Sequence, residues 1–165
     1  MNNNLILENA HIWARNFEGR EAKFNEKGNR NFCVTIDKNM VEDLRSQDWN
    51  IRETRPNEEY NEPMYYIPVK VKFGKFPPKI VLITRKGKTQ LDENTCKILD
   101  TAEIAKIDLS IRPYHYENIG GRSGVAAYLK TAYVTLAEDE FAAKYDMDDS
   151  LPDTAEDSST EDIPW

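Results

Sequence analysis

The sequence predicts a mainly β domain: about five short strands forming a small, partly open barrel, one short helix, and an acidic tail without a core of its own. Three observations carry that expectation. Alternations of apolar and polar residues with a period of two recur through the first 137 residues. Glycine, proline and asparagine clusters punctuate them at hairpin spacing. Beyond Tyr145, Asp, Ser, Thr and Pro prevail and core-forming side chains vanish, so disorder is expected from about Asp146.

Element by element, "LILENAHIW" (5–13) and "NFCVTI" (31–36) suit strands, separated by a polar loop in which Gly19 and Gly28 mark turns. Asp37 is placed to cap a short helix, "KNMVEDLRSQDW", whose Met40, Val41 and Leu44 share one face. The polar stretch "NIRETRPNEEYNE" reads as a short strand and a loop. In 63–91, Val69, Val71 and Phe73 alternate with Lys70 and Lys72; "KIVLIT" is a further strand and "RKGK" a turn. "IDLSIRPYHYE" (107–117) and "VAAYLKTAYVTLA" (125–137) form a hairpin joined by the loop "NIGGRSG", and "EDEFAAKY" suits one or two helical turns. This inventory fits a five-stranded OB-like barrel with elaborated hairpins; a β-sandwich would be patterned similarly.

Residues 1–137 are expected to form one domain and 138–165 an acidic tail with its tip at 161–165. The net charge of −7 hides this division. Residues 138–165 hold 11 acids and one base, a net of −10, which leaves 18 acids and 21 bases, a net of +3, for the body. A mildly basic body with an acidic tail points to an interaction tail, nucleic-acid contact, or both. No run of 18 apolar residues occurs, so no membrane-spanning helix is expected, and the first residues lack the features of a secretory signal. Cys33 and Cys96 stand apart without a CxxC pair and are expected to be free thiols. His11 and His115 have no third ligand nearby, so no metal is expected, and neither a Walker loop nor GxGxxG is present. Asp92, Glu93, Asp100, Glu103 and Lys106 match no nuclease spacing; on a helical reading of "KILDTAEIAK", Asp100, Glu103 and Lys106 form a solvated face. Neither an enzyme nor a cofactor is expected.

The chemistry concentrates in two places. Residues 63–91 carry seven bases (Lys70, Lys72, Lys75, Lys79, Arg85, Lys86, Lys88) and no acid, interleaved with Tyr65, Tyr66, Phe73 and Phe76. Single-stranded nucleic acid calls for this mixture, because cations neutralise phosphates and aromatic faces stack on bases of any identity. Phe73 shares a face with Val71 and belongs to the core, whereas Tyr66 and Phe76 are stacking candidates. In the later hairpin, Arg112, Tyr114 and Tyr116 face away from Ile107, Leu109 and Ile111; Tyr128 and Lys130 share a face, and Arg122 sits in the glycine-rich loop. The plainer reading of each such residue is the solvated side of an antiparallel sheet.

Three stretches carry a resemblance. "GNRNFCVTID" (28–37) and the "IRPYHYENIGGRSGVAAYLKTAYVTL" hairpin look like the OB-fold single-stranded-DNA-binding proteins of bacteriophages. The closing "EDIPW" resembles the acidic tip of bacterial single-stranded-DNA-binding proteins, which ends in Ile-Pro-Phe; here Trp165 replaces the phenylalanine. The resemblance implies a protein that coats single-stranded DNA in the cytoplasm of a bacterial host during phage replication and recombination. It also implies that Asp162, Ile163, Pro164 and Trp165 recruit replication and recombination proteins. Self-association is left open. The alternatives are a tail mimic that seizes the partners of the host protein without binding DNA, and a recombination nuclease or annealase.

Overall fold

The computed structural model describes residues 3–55, 62–117 and 123–138. Its strands are β1 (Leu5–Leu7), β2 (Ile12–Asn16), β3 (Arg30–Ile36), β4 (Arg52–Glu53), β5 (Tyr65–Val71), β6 (Lys79–Thr84), β7 (Gly87–Leu91), β8 (Ile104–Glu117) and β9 (Ser123–Leu136). One helix, α1 (Lys38–Ser46), follows β3, and a 3-10 turn spans Cys96–Asp100. The mainly β architecture with a single short helix is the one expected. The described residues hold nine strands: the run 5–13 divides into β1 and β2, and β7 begins inside "RKGK", where a turn is expected.

The division has local causes. The run 5–13 breaks at Asn9, whose φ of 50° lies in the left-handed region that asparagine tolerates. The Asn9 amide donates to Asp108 Oδ1 at 2.8 Å, fixing the corner. Before it, β1 pairs antiparallel with β8; after it, β2 pairs with β3. The long hairpin β8–β9 is the backbone of the sheet, running from Ile104↔Leu136 to Glu117↔Ser123. Its outer β9 edge is shared: β5 takes the first half in parallel (Lys70↔Tyr128) and β6 the second (Lys79↔Thr131 to Ile83↔Thr135). The ladder β1-β8-β9-β5-β3-β2 stays open, its two end strands joined through the Asn9 corner rather than by a strand pairing.

One face of this curved sheet closes on the core. Val34, Ile67, Val69, Ile107, Leu109, Ile111, Val125, Leu129 and Val134 alternate inward, and Phe17 stacks on Phe32 at 5.2 Å. Each such side chain contributes about 1.5–3 kcal/mol through burial. Val41 and Leu44 of α1 join this core, with Met40 packed at its margin. Asp37 stands at the N-cap in extended geometry without a side-chain cap bond among the described residues. Trp49 bridges to Val125, and the Val125 amide donates to Asp48 O, which seats α1 beside the start of β9. The helical reading of "KILDTAEIAK" holds only for Cys96–Asp100, since Ile104 already belongs to β8. Asp100 is structural: its carboxylate accepts from the amides of Phe17 (2.6 Å) and Glu18 (3.1 Å).

Candidate nucleic-acid interface

Because β3, β5, β9 and β8 lie side by side, their outward residues line up in cross-strand rows. One row reads Asn31, Lys70, Tyr128, Arg112. Tyr128 is its centre. Lys70 Nζ lies 5.8 Å from the Tyr128 ring centroid, the Arg112 guanidinium carbon 5.6 Å, and the Tyr114 ring meets Tyr128 edge-on at 5.8 Å. Both cations are within the range at which a ring quadrupole attracts them. An aromatic ring held between two cations offers a face for a base and flanking charges for its phosphates.

Three adjoining depressions share Tyr128. The first, about 550 Å³, runs between Asn50, Arg52 and Pro68 on one wall and Tyr114, Tyr116 and Ala126 on the other. A second, about 530 Å³, lies among Asn29, Arg30, Asn31, Lys70, Lys72 and Phe73. The third, about 310 Å³, is bounded by Lys72, Lys75, Phe76, Arg112 and Tyr114. The first two also share Asn31 and Lys70, the second and third Lys72, and the first and third Tyr114, so the three form a groove around Tyr128. At one end Tyr116 pairs with Gly124, and a Cβ built on Gly124 would meet Tyr116 Oη at 2.7 Å. The glycine therefore leaves room for the tyrosine ring to lie across the strand. At the other end Arg30 stands over the Phe73 ring at 5.4 Å and donates to Phe17 O at 2.7 Å, fixing the groove wall to the core.

Of the residues singled out from the sequence, Lys70, Lys72, Lys75, Phe76, Arg112, Tyr114, Tyr116 and Tyr128 line this groove. Tyr66 sits farther along β5, edge-on to Trp13 at 4.8 Å. Lys79 reaches over Tyr133 at 5.9 Å, on the second half of β9. Lys130 is exposed in the register shift of β9, between Leu129 and Thr131, which pair with Ile111 and Ser110. Arg85 and Lys86 form the β6–β7 turn and Lys88 follows on β7; the Arg85 amide donates to Glu138 Oε1, and its guanidinium lies 3.9 Å from Glu138 Oε2. Arg122 and the tip Asp162–Trp165 fall outside the described residues, as does "EDEFAAKY" beyond Glu138.

Several groove residues were missed in the sequence. Asn31 is the outward residue next to Phe32, and alternation in "RNFCVTI" would have found it. Phe73 was assigned to the core; it packs against the core margin and also lines the groove. Asn50 and Arg52 lie in the stretch expected to hold a short strand; Arg52 opens β4, whose pairing with β5 brings it to the groove. Cys33 and Cys96 are free thiols, and burial pushes both above the ordinary thiol value. No group of three metal-ligating side chains comes together among the described residues. No helix among them is long and apolar enough to cross a membrane.

A family described as "Putative phage ssDNA-binding domain" matches residues 1–162. No curated protein sequence matches. Among solved structures, the single-stranded DNA-binding protein from bacteriophage Enc34 in complex with ssDNA superposes with a TM-score of 0.54 at 12% identity, over 84% of this chain and 89% of that one. A C-terminal truncation of the Enc34 protein gives 0.52 at 12% identity, over 82% and 87%. The bacteriophage T7 protein gp2.5 gives 0.43 at 10% identity, over 95% and 100%, too loose to build on. The two Enc34 likenesses establish the shared fold, and the family match covers nearly the whole sequence. This chain belongs to the phage ssDNA-binding domain family.

Proposed function

We propose that this protein coats phage single-stranded DNA during replication and recombination, with little sequence preference and without turnover, in the host cytoplasm. The observation that carries the reading is Tyr128, held between Lys70 and Arg112 at the meeting point of three depressions. In this reading Lys70, Lys72, Lys75 and Arg112 neutralise phosphates, while Tyr128, Tyr114, Tyr116 and Phe76 stack bases. Tyr66 extends the path along β5, and Arg122 and Lys130 support it from the hairpin. Lys79, Arg85, Lys86 and Lys88 form a second, outlying basic surface for strand leaving the groove. Phe73, Phe76, Tyr114, Tyr116 and Tyr128 give the groove aromatic faces on which a base of any identity can stack. The Enc34 protein, of the same fold, is known with ssDNA bound, which supports the assignment.

Residues 1–137 are the binding domain in this proposal, and 138–165 the recruiting tail. Trp165 enters an apolar pocket on a replication or recombination protein, Pro164 limits the freedom lost on docking, and Asp162 and its acidic neighbours steer towards a basic rim. The test is fluorescence anisotropy of labelled oligo-dT against a duplex of equal length at two salt concentrations. It uses the full chain and a chain ending at Tyr145. Salt-sensitive binding to the single strand that survives removal of the tail is the expected result. Absence of binding by both would overturn the coating function and leave the tail-mimic reading.

A further inference from the structure

The groove does not account for Phe24. This side chain is 92% exposed, the most exposed large apolar group among the described residues. An isolated exposed apolar residue ordinarily means nothing. Phe24 differs because the loop holding it is tightly built. Ala22 and Asn25 exchange backbone hydrogen bonds at 2.9 and 3.1 Å, forming a two-residue tip of Lys23 and Phe24. Asn25 Nδ2 donates to the carbonyls of Arg20 (2.8 Å) and Asn29 (3.0 Å). Asn16 Oδ1 accepts from the amides of Gly19 and Arg20, and the Gly28 amide donates to Gly19 O at 2.8 Å. At Gly19 the φ of 78° and the backbone of Gly28 about 3.1 Å from a would-be Cβ both favour glycine. So the sequence spends two glycines and two asparagines on holding a phenylalanine in water.

The base of the same loop walls the groove. Asn25, Gly28 and Asn29 line the depression that contains Lys70, Lys72 and Tyr128, and Asn25 Oδ1 accepts from Asn31 Nδ2 at 2.9 Å. The tip also repeats a local arrangement found elsewhere on the rim. Lys23 Nζ stands 5.4 Å from the Phe24 ring centroid, and Lys75 Nζ stands 5.7 Å from that of Phe76, itself 69% exposed. Two loops that border depressions sharing Lys72 and Tyr128 thus each display a Lys-Phe pair to solvent.

We propose that Phe24, with Lys23, is a second nucleotide-stacking finger that carries the single strand off the sheet between the β2–β3 loop and the Lys75–Phe76 loop. The proposal rests on the ssDNA-coating reading and extends the bound path past the groove. A strand long enough to leave the groove meets the finger; a short one confined to Tyr128 and its neighbours does not. The occupant is a nucleotide rather than an apolar partner because the aromatic ring comes with its own cation and continues a basic groove.

The test measures anisotropy of labelled oligo-dT of increasing length with the full chain and with Phe24→Ala, Phe24→Leu, Phe24→Trp and Tyr128→Ala. Phe24→Ala and Phe24→Leu are expected to weaken binding of long strands by about 5-fold or more while leaving the shortest bound strand unchanged. Phe24→Trp is expected to retain wild-type affinity. Circular dichroism should match wild type for every Phe24 variant. Wild-type binding lost in Tyr128→Ala but untouched in Phe24→Ala would overturn the finger and leave the groove standing. Full activity of Phe24→Leu would overturn stacking, as would equal loss on the shortest strand. A Phe24→Ala effect that tracks a change in self-association by sedimentation would assign the residue to contact between copies and overturn it too. Failure of the wild-type chain to bind any strand would sink the underlying reading itself.

Discussion

Residues 63–91 look uniform in sequence, but the fold divides them into two regions with different surroundings. Lys70, Lys72, Lys75 and Phe76 converge on Tyr128, a residue more than fifty positions away, because β5 runs parallel to the first half of β9. Lys79, Arg85, Lys86 and Lys88 belong to the β6–β7 hairpin, which takes the second half of β9. At about 3.3 Å per residue, the seven residues from Tyr128 to Thr135 put the hairpin turn roughly 20 Å from the groove centre. The hairpin also differs in chemistry, since Arg85 is tied to Glu138, the first residue of the acidic segment. Charge density along a chain thus measures supply, and strand pairing decides where the supply is delivered.

The contrast can be broken most forcefully at its centre. Tyr128→Ala removes the ring that organises Lys70, Arg112 and Tyr114, and oligo-dT affinity should fall by about 2–3 kcal/mol, at the upper end for one stacked base. An anisotropy titration that leaves affinity within twofold would show that the groove is not the path. Next come the flanking cations: Lys70→Ala or Arg112→Ala should each flatten the dependence of log affinity on log salt by about 0.7, one phosphate's worth on a single strand. A lost affinity with unchanged slope would mean that the cation only orients Tyr128.

How far the sequence could take this division is clear from particular residues. Alternation placed Arg112, Tyr114 and Tyr116 opposite Ile107, Leu109 and Ile111, and Lys70 opposite Val69 and Val71, because a period of two is a local property of a strand. It could not place Lys70 beside Tyr128, since a parallel pairing across nearly sixty residues leaves no local trace. For the same reason Arg52 went unnoticed: β4 is two residues long and owes its position to pairing with Tyr65 and Tyr66. The unbroken strand expected over 5–13 failed for a different cause. Asn9 turns a corner in the left-handed region, which the Glu8-Asn9 pair between two apolar stretches signals only weakly.

A smaller effect sharpens the groove's boundary. Gly124→Ala should push the Tyr116 ring off the strand, because the added methyl would sit 2.7 Å from its hydroxyl oxygen. The ring end can swing away, so thermal stability should hardly change, while affinity should fall by about 1 kcal/mol if Tyr116 stacks a base. Stability lost with affinity intact would make Gly124 a purely structural residue. The smallest effect is expected from Lys86→Ala with Lys88→Ala, within about twofold on short oligonucleotides, because exposed charges some 20 Å away are largely screened at moderate salt.

The most direct measurement sets these two regions against each other with charge held equal. Oligo-dT affinity would be followed over a range of salt for the double variant Lys70→Ala/Lys72→Ala and for Lys86→Ala/Lys88→Ala, with strands short enough to lie within the groove. Each variant removes two cations from the same stretch of sequence. The groove pair is predicted to flatten the salt dependence by about 1.4, while the hairpin pair leaves it at the wild-type value. Equal flattening by both, or a larger effect from the hairpin, would contradict the assignment of the groove as the single-strand path.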